Sequence, residues 1–575
     1  MEPKDIVLDD YEKCLADKNQ SETYKINRII EWNTNYRNFR NKSVLDRLTQ
    51  TQNVSDTITA TAINVAAANM DEYTDTKITY YDGFGEDDQR TLFINKIWEQ
   101  TQKKKMIIKD RIDKKQCLLY GRSFYKVNIV GGRIEIDNVD PYDIEIDPFC
   151  KKSDIQTARY IIHKNIRVPL GELFKDDRLN KEKIALIKKA KEEGITNEPV
   201  NIFSEDQSRS LEPLREVGYN ITEDDYNDSN IVEVWEDYRK ETDLEGNTKI
   251  RLYILCEGQC LFSGDLREIL YPLLPKERED FYPFTSWAYN IEGKDIWSKG
   301  LADDIRALHQ IRSVLLSQNV QNAVLNNLGM IAYDQTAAED YDPSPIIPQP
   351  FGFIPVPGKP AEVMQRLEVV RNPLDISLMN YLENQANAVS ATPSQVQGMA
   401  EKGVATLGEA EIIQQNIQKR LSDAAVEYSV NMENVVKIWA DILMYNPNLA
   451  DITIRAIVGN NTYEETIDPR DLMSEKGCEV VVTNSFDKEK DDLTALQKMA
   501  AISKTFANNS AYQDILKSKM LRILNLSSEE ITKIMDEEDR LKERGQEGSV
   551  EDLASVKQVI SNNQNLQLDQ QGQNL

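Results

Sequence analysis

The chain has 575 residues, too many for one hydrophobic core, so several domains or one elongated subunit of an assembly are expected. Its 69 basic against 96 acidic residues leave a net charge of −27, which excludes a protein that clings to phosphate backbones but permits DNA to pass without adhering. The six cysteines are scattered without metal-ligand spacing and read as reduced thiols; the acidic start MEPKDIVLDDYEKC lacks a signal core, and no apolar run is long enough for a membrane helix. Manufacture and retention in a cytoplasm until assembly is the expectation.

The first 80 residues read as helical: Tyr24 to Leu48 mixes apolar positions with Arg and Asn, and Ser55 to Met70 opens on a serine cap before an alanine-rich run. Residues 88 to 119 read as further helix, broken by the basic run Lys103 to Lys105. That run is read as a solvated helix surface, with a DNA contact as the sharper alternative. Beyond Tyr120 the period becomes two, and Ser123 to Val130 with Arg133 to Asp137 form a hairpin about Gly131-Gly132. Ile231 to Tyr238 and Lys249 to Phe262 repeat this behaviour, the latter with a Glu257-Gly258 turn, while residues 165 to 228 read as a charged surface insertion. A β-containing body with helices before and after it is an α+β class.

From Leu301 to Gly329 runs a helix whose apolar stripe is Leu301, Ile305, Leu308, Ile311, Leu315 and Val320. Its charges stop at Arg312, and Gln318, Asn319, Gln321, Asn322, Asn326 and Asn327 follow without one ionisable group before Tyr333. Such a helix wants protein around it, and copies of itself would serve. His309 within it reads as a packing or inter-subunit hydrogen-bonding residue. Eight prolines between Gly329 and Pro373 then forbid long helices and central strands, giving a loop-rich excursion. Leu374 to Val389 returns to helix.

Ser390 to Thr406 is a small-residue loop that ends in the capping box Thr406-Leu407-Gly408-Glu409, and a long helix follows with apolar steps from Ile413 to Ile442. Ile452 to Val458 and Cys478 to Thr483 read as strands, Asp487 to Arg544 as helical, and the amide-rich end from Val550 as disordered. No P-loop, no G-x-S-x-G elbow and no H-E-x-x-H occurs, and the only histidines are His163 and His309, so no enzyme, cofactor or metal is expected. Asp137, Asp140, Asp143 and Asp147 lack calcium-loop spacing and read as turn initiators.

Leu118-Leu119-Tyr120-Gly121-Arg122-Ser123-Phe124-Tyr125-Lys126-Val127, then Val139-Asp140-Pro141-Tyr142-Asp143-Ile144-Glu145-Ile146-Asp147-Pro148, then Tyr282-Pro283-Phe284, Gly300-Leu301, Asp304-Ile305-Arg306 and Gln310 follow one another in order. Together they resemble the portal proteins of tailed bacteriophages, the head-to-tail connectors, in particular the podovirus-like branch. The resemblance spans residues 25 to 500.

The resemblance implies a wing (1–295), a stem helix (296–328), a clip (329–373), a second stem helix (374–390), a tunnel loop (391–407), a long helix with wing strands (408–486), a helical crown (487–549) and a tail (550–575). It implies a non-enzymatic virion component at one capsid vertex, forming a ring of about twelve copies around passing double-stranded DNA during packaging and ejection. Its implied partners are the terminase large subunit, head-tail adaptor proteins, and the major capsid and scaffolding proteins. Gln395, Gln397 and Lys402 are the candidates for touching DNA, Gln310, Gln318, Gln321 and Asn322 for the inter-subunit stem, and Tyr333, Tyr341, Phe351 and Phe353 for docking adaptors at the clip. A ring- or filament-forming scaffold that translocates nothing is the alternative.

Overall fold

The computed structural model describes residues 10–41, 54–70, 73–82, 89–150, 154–192, 231–242, 248–291, 296–328, 330–333, 364–367, 376–390, 407–458 and 461–484. The chain divides into two units, 1–484 and 485–575, and every described residue lies in the first. The fold is a mixture of helix and strand, the α+β class.

Helices α1 (Asp10–Phe39) and α2 (Ile58–Asn69) precede strand β1 (Tyr73–Tyr80). Helix α3 (Gln89–Trp98) runs through a π-helical turn, Glu99–Lys103, into α4 (Lys104–Tyr120). Then come β2 (Arg122–Val130), β3 (Arg133–Val139), β4 (Ile144–Ile146), β5 (Tyr160–Pro169), the helices α5 (Leu170–Lys175) and α6 (Lys181–Glu192), and β6 (Ile231–Thr242), β7 (Thr248–Cys256) and β8 (Gln259–Asp265). After α7 (Leu266–Leu270) and β9 (Phe284–Ala288) comes the long α8 (Leu301–Leu328), then β10 (Met330–Tyr333), β11 (Met364–Leu367), α9 (Ile376–Ser390) and α10 (Leu407–Tyr445). Strands β12 (Ile452–Val458), β13 (Asn461–Ile467) and β14 (Cys478–Asn484) complete it.

The β2–β3 hairpin forms where the sequence places it, because Gly131 and Gly132 adopt φ of 58° and 75°, the left-handed pair that a two-residue turn needs to match strand twist. Strand β2 is central in a three-stranded sheet, β3-β2-β9, and the second sheet is five-stranded, β4-β5-β6-β7-β8. The β7–β8 turn again sits at Glu257 and Gly258, both with positive φ. Ser123, Tyr125 and Trp287 are buried, and Ser123 pairs Trp287 across β2 and β9. Asp113 of α4 reaches this pair, accepting from Ser123 Oγ at 2.5 Å and from Trp287 Nε1 at 2.6 Å. Tyr428 of α10 stacks edge-on against Trp287 at 5.4 Å, and Trp439 against Trp98 at 4.9 Å, so α4 and α10 share one core.

Several expectations need correction. The first 80 residues are not all helical: β1 pairs antiparallel with β14 from Tyr73↔Asn484 to Tyr80↔Cys478, a partner about 400 residues away that no local pattern announces. Residues 165 to 228 are not wholly an insertion, since β5 reaches Pro169 and sits inside the larger sheet, pairing with β6. Ser55 does not cap α2. The N-cap is Thr57, which makes no side-chain cap bond, and just before it Asp56 Oδ1 accepts from Ile58 N at 3.0 Å. The basic run is a helix surface as expected, Lys104 and Lys105 being exposed, and the Lys105 ammonium also meets both Glu135 oxygens at 2.7 and 2.9 Å on β3. The excursion after α8 opens and closes with strands, β10 pairing antiparallel with β11 from Met330↔Leu367 to Tyr333↔Met364.

Candidate inter-subunit helix and its seat in the body

Helix α8 leaves the body where two glycine-bearing segments lie backbone against backbone. Gly121 ends α4 in a left-handed conformation, φ 91°, donating to the Cys117 carbonyl at 2.8 Å. A Cβ there would stand 1.9 Å from the Ser298 carbonyl oxygen. A Cβ on Gly300 would stand 2.5 Å from the Leu118 oxygen and 2.8 Å from the Gly121 nitrogen. Arg122, fully buried, fixes the approach by donating from Nε to the Ile296 carbonyl at 2.7 Å.

The start of α8 is capped from within and clamped by α1. Asp303, in its first turn, accepts from the Gly300 amide at 2.9 Å, the return half of a capping box. Arg28 donates to that carboxylate at 3.1 Å and to the Ser298 carbonyl at 2.7 Å, and Asn35 donates to the other carboxylate oxygen at 2.8 Å. Beneath lies an aromatic box in which Trp32 meets Trp297 at 5.5 Å, Tyr142 at 5.2 Å and Tyr120 at 5.6 Å. Lys25 lies over the Trp297 ring at 4.8 Å and pairs with Glu145 at 2.9 Å, both side chains wholly buried. A buried pair of this kind needs further bonds, and Lys25 finds one in the Ile144 carbonyl at 2.7 Å.

Further along α8, the same chain covers one face. His309, 1% exposed, lies between Thr59 Oγ1, 2.9 Å from Nδ1, and Ser55 Oγ, 3.3 Å from Nε2. Burial, helped by the Arg312 guanidinium, pushes its pKa down to about 4, so the ring is neutral. Ser313 accepts from Asp56 N at 3.0 Å, and Ser317 from Val54 N at 2.9 Å. Arg312 donates to Asp56 at 2.5 Å, to Glu383 of α9 at 3.1 Å and to the Met379 carbonyl at 3.3 Å. The last charge of the helix thus joins α8, α9 and the segment that leads into α2.

The other face is open. Gln310 and Gln318 are exposed, and Ile311 between them is 48% exposed. Helix α9 exposes the large apolar groups of Leu378, Tyr381 and Val389. Gln321 and Asn322 lie on α8 with side chains outside the described residues, as does the side chain of Tyr333, whose backbone ends β10. Tyr341, Phe351, Phe353, Gln395, Gln397 and Lys402, the capping box at Thr406, and everything from 485 onward also fall outside the described residues.

The four aspartates diverge rather than converge. Asp140 and Asp147 each accept from the backbone amide two residues on, at 3.1 and 3.0 Å. Asp137 pairs with Lys109 at 2.8 Å, Asp143 accepts from Asn165 at 2.6 Å, and Asp147 also takes Arg159 at 2.6 and 2.8 Å. Among the described residues, no three metal-ligating side chains gather. His163 is held neutral, its pKa lowered to about 3 by burial and by the Lys126 ammonium, which pairs with Glu236 at 2.5 Å. These ion pairs join strands and helices. Among the described residues, no helix is long and apolar enough to cross a membrane.

Sequence reasoning named Gly121, Gly300, Asp304 and Gln310 without seeing that the first two touch. It missed Asp56, Asp303, Arg28 and Asn35, the groups that seat the helix. The glycine that closes α4 carries the one local signal, since a glycine just past a helix end marks a left-handed turn. A comparison with curated proteins finds no match. The family described as phage SU10 portal protein matches residues 35–546, an interval that takes in the glycine contact and all of α8. The chain belongs to the phage SU10 portal protein family, a structural and non-enzymatic component of the phage.

Proposed function

We propose that the chain assembles as a ring of about twelve copies at one vertex of the capsid, through which the genome is packaged and later ejected. The wing is residues 1–295 with the strands of 408–486, and α8 and α9 are the two legs of the stem. Residues 329–373 form the clip, which docks the terminase large subunit and afterwards the head-tail adaptors through Tyr333, Tyr341, Phe351 and Phe353. Residues 391–407 form the tunnel loop, with Gln395, Gln397 and Lys402 touching DNA in passing. Residues 487–549 form a crown, and major capsid and scaffolding proteins surround the wing.

One observation carries this reading. Helix α8 is seated on the body as far as Ser317, and from Arg312 it runs on for about 24 Å with no charge and with the Gln318 amide exposed. Amides bond across subunits without the like-charge repulsion that a ring of copies would impose on carboxylates or ammoniums. The net charge of −27 supports the channel role, because acidic walls do not hold a phosphate backbone. Negative-stain imaging of the purified chain tests it: rings with a central channel support the reading, and a stable monomer at micromolar concentration overturns it.

A further inference from the structure

Helix α4 presents an outward face of isoleucine and cations. Ile108 is 68% exposed, Ile112 49% and Ile107 39%, and Lys104, Arg111 and Lys115 are exposed around them. Isoleucine has no helix-propensity reason to be there, and each exposed side chain forgoes part of its burial. The neighbouring cations Lys105 and Lys109 are spoken for by Glu135 and Asp137 of β3. Helix α10 presents the complementary face: Val426 is 61% exposed and Val430 48%, with Asp423 exposed and Glu427 half-buried in the same stripe.

The two stripes cannot meet within one chain. The helices join at Tyr428, which bonds Asp110 and lies under the Lys114 ammonium at 4.7 Å. Ile108 and Ile112 stand two residues to either side of Asp110, and Val426 and Val430 two residues to either side of Tyr428. At about 100° per residue, each stripe points about 160° away from that seam. The geometry points to a contact between copies, in which the Ile108–Lys104–Lys115 face of α4 docks on the Asp423–Val426–Val430 face of α10 in the next subunit. Two different faces of one chain make a heterologous contact, the kind that closes into a ring by rotation. Opposite charges around an apolar centre fix its register and disfavour the like-on-like pairing of two acidic chains.

This inference rests on the ring reading, and the test separates the two. Three variants of the full chain are compared with the wild type by sedimentation velocity and native mass spectrometry at physiological salt: Lys104→Glu with Lys115→Glu, Asp423→Lys with Glu427→Lys, and all four together. Each pair alone is expected to move most of the protein from ring to monomer or small oligomer, a loss of at least about tenfold in assembled fraction. The fourfold variant is expected to assemble again, which also shows that the reversed chains fold. Ile108→Ser with Ile112→Ser, which changes no charge, is expected to lose the ring as well. If the charge-reversed and serine variants form rings as the wild type does, this contact is overturned while the ring reading stands. A wild type that stays monomeric overturns both.

Discussion

Gly300 lies against Gly121 so closely that a Cβ on the former would stand 2.8 Å from the amide nitrogen of the latter. Each belongs to a sequence segment that resembles the portal family, and the two meet where α8 leaves the body. A methyl at residue 300 would also stand 2.5 Å from the Leu118 carbonyl, so backbone rather than a flexible side chain would have to move. Gly300→Ala is expected to destabilise the chain by about 3 kcal/mol, read from the urea midpoint. Gly171→Ala, at a glycine whose added Cβ meets nothing within 4 Å, serves as the control and is expected to stay within about 0.5 kcal/mol of wild type.

Arg312 and Asp56 form a second tie, nearly out of water at 12% and 5% side-chain exposure. Arg312→Met would leave the buried Asp56 carboxylate without its cation, accepting only from the Ile58 amide, a loss of about 3 kcal/mol. The double change Arg312→Met with Asp56→Asn is expected to recover most of that loss, since an asparagine still accepts from the Ile58 amide and no charge is left alone. A double-mutant cycle in urea measures the coupling, and additive losses would count against the pairing.

The neutral His309 makes stability depend on acidity. Its folded pKa lies near 4, pushed down by burial, against an ordinary value of 6.5, so the unfolded chain binds the extra proton between those values. Stability from this group is complete above pH 6.5 and declines as pH falls toward 4. His163, depressed to about 3, contributes in the same direction over the same window. The urea midpoint of His309→Gln is therefore expected to fall less than that of wild type between pH 7.5 and pH 5. Equal falls would mean that the ring is not buried in solution.

What was legible in the sequence was local. The bounds of α8 and α9, the Gly131-Gly132 hairpin and the apolar rhythm of α10 each follow from spacing within a dozen residues. What was not legible depends on partners far along the chain. Tyr73 to Tyr80 becomes a strand because β14 offers an edge, and Ser55, two residues before the Thr57 N-cap, bonds His309 instead of the helix end. The uncharged helix pointed to protein surroundings, and half of that surrounding turns out to be its own chain: Ser313 and Ser317 are answered by residues 54 to 56.

Lys402 is the single basic residue in the stretch from Ser390 to Thr406. If that loop touches passing DNA, Lys402→Ala removes its only phosphate attraction and leaves a wholly uncharged or acidic surface. Packaging in extracts complemented with this variant is expected to slow or stop short of full genome length, and the deficit should shrink at higher salt, where the wild-type contact is itself screened. Unchanged rate and packaged length would take Lys402 out of the channel.

The last test separates the covered face of α8 from its open one. Arg312 ends the charges, and beyond it the helix carries Gln318, Gln321 and Asn322 toward the excursion at 329. A single carboxylate at residue 321 changes one subunit by one charge, but in a ring it recurs in every copy at a short repeat, so repulsion and desolvation multiply with closure. Gln321→Glu should therefore leave the thermal midpoint of the monomeric fraction within a degree or two while the assembled fraction falls severalfold, with partial recovery at pH 4 as the new carboxylate is neutralised. Since His309 weakens the fold in the same acid range, recovery must be judged against wild type at the same pH. Rings that form normally with Glu at 321 would mean that this stretch faces solvent rather than a neighbouring copy.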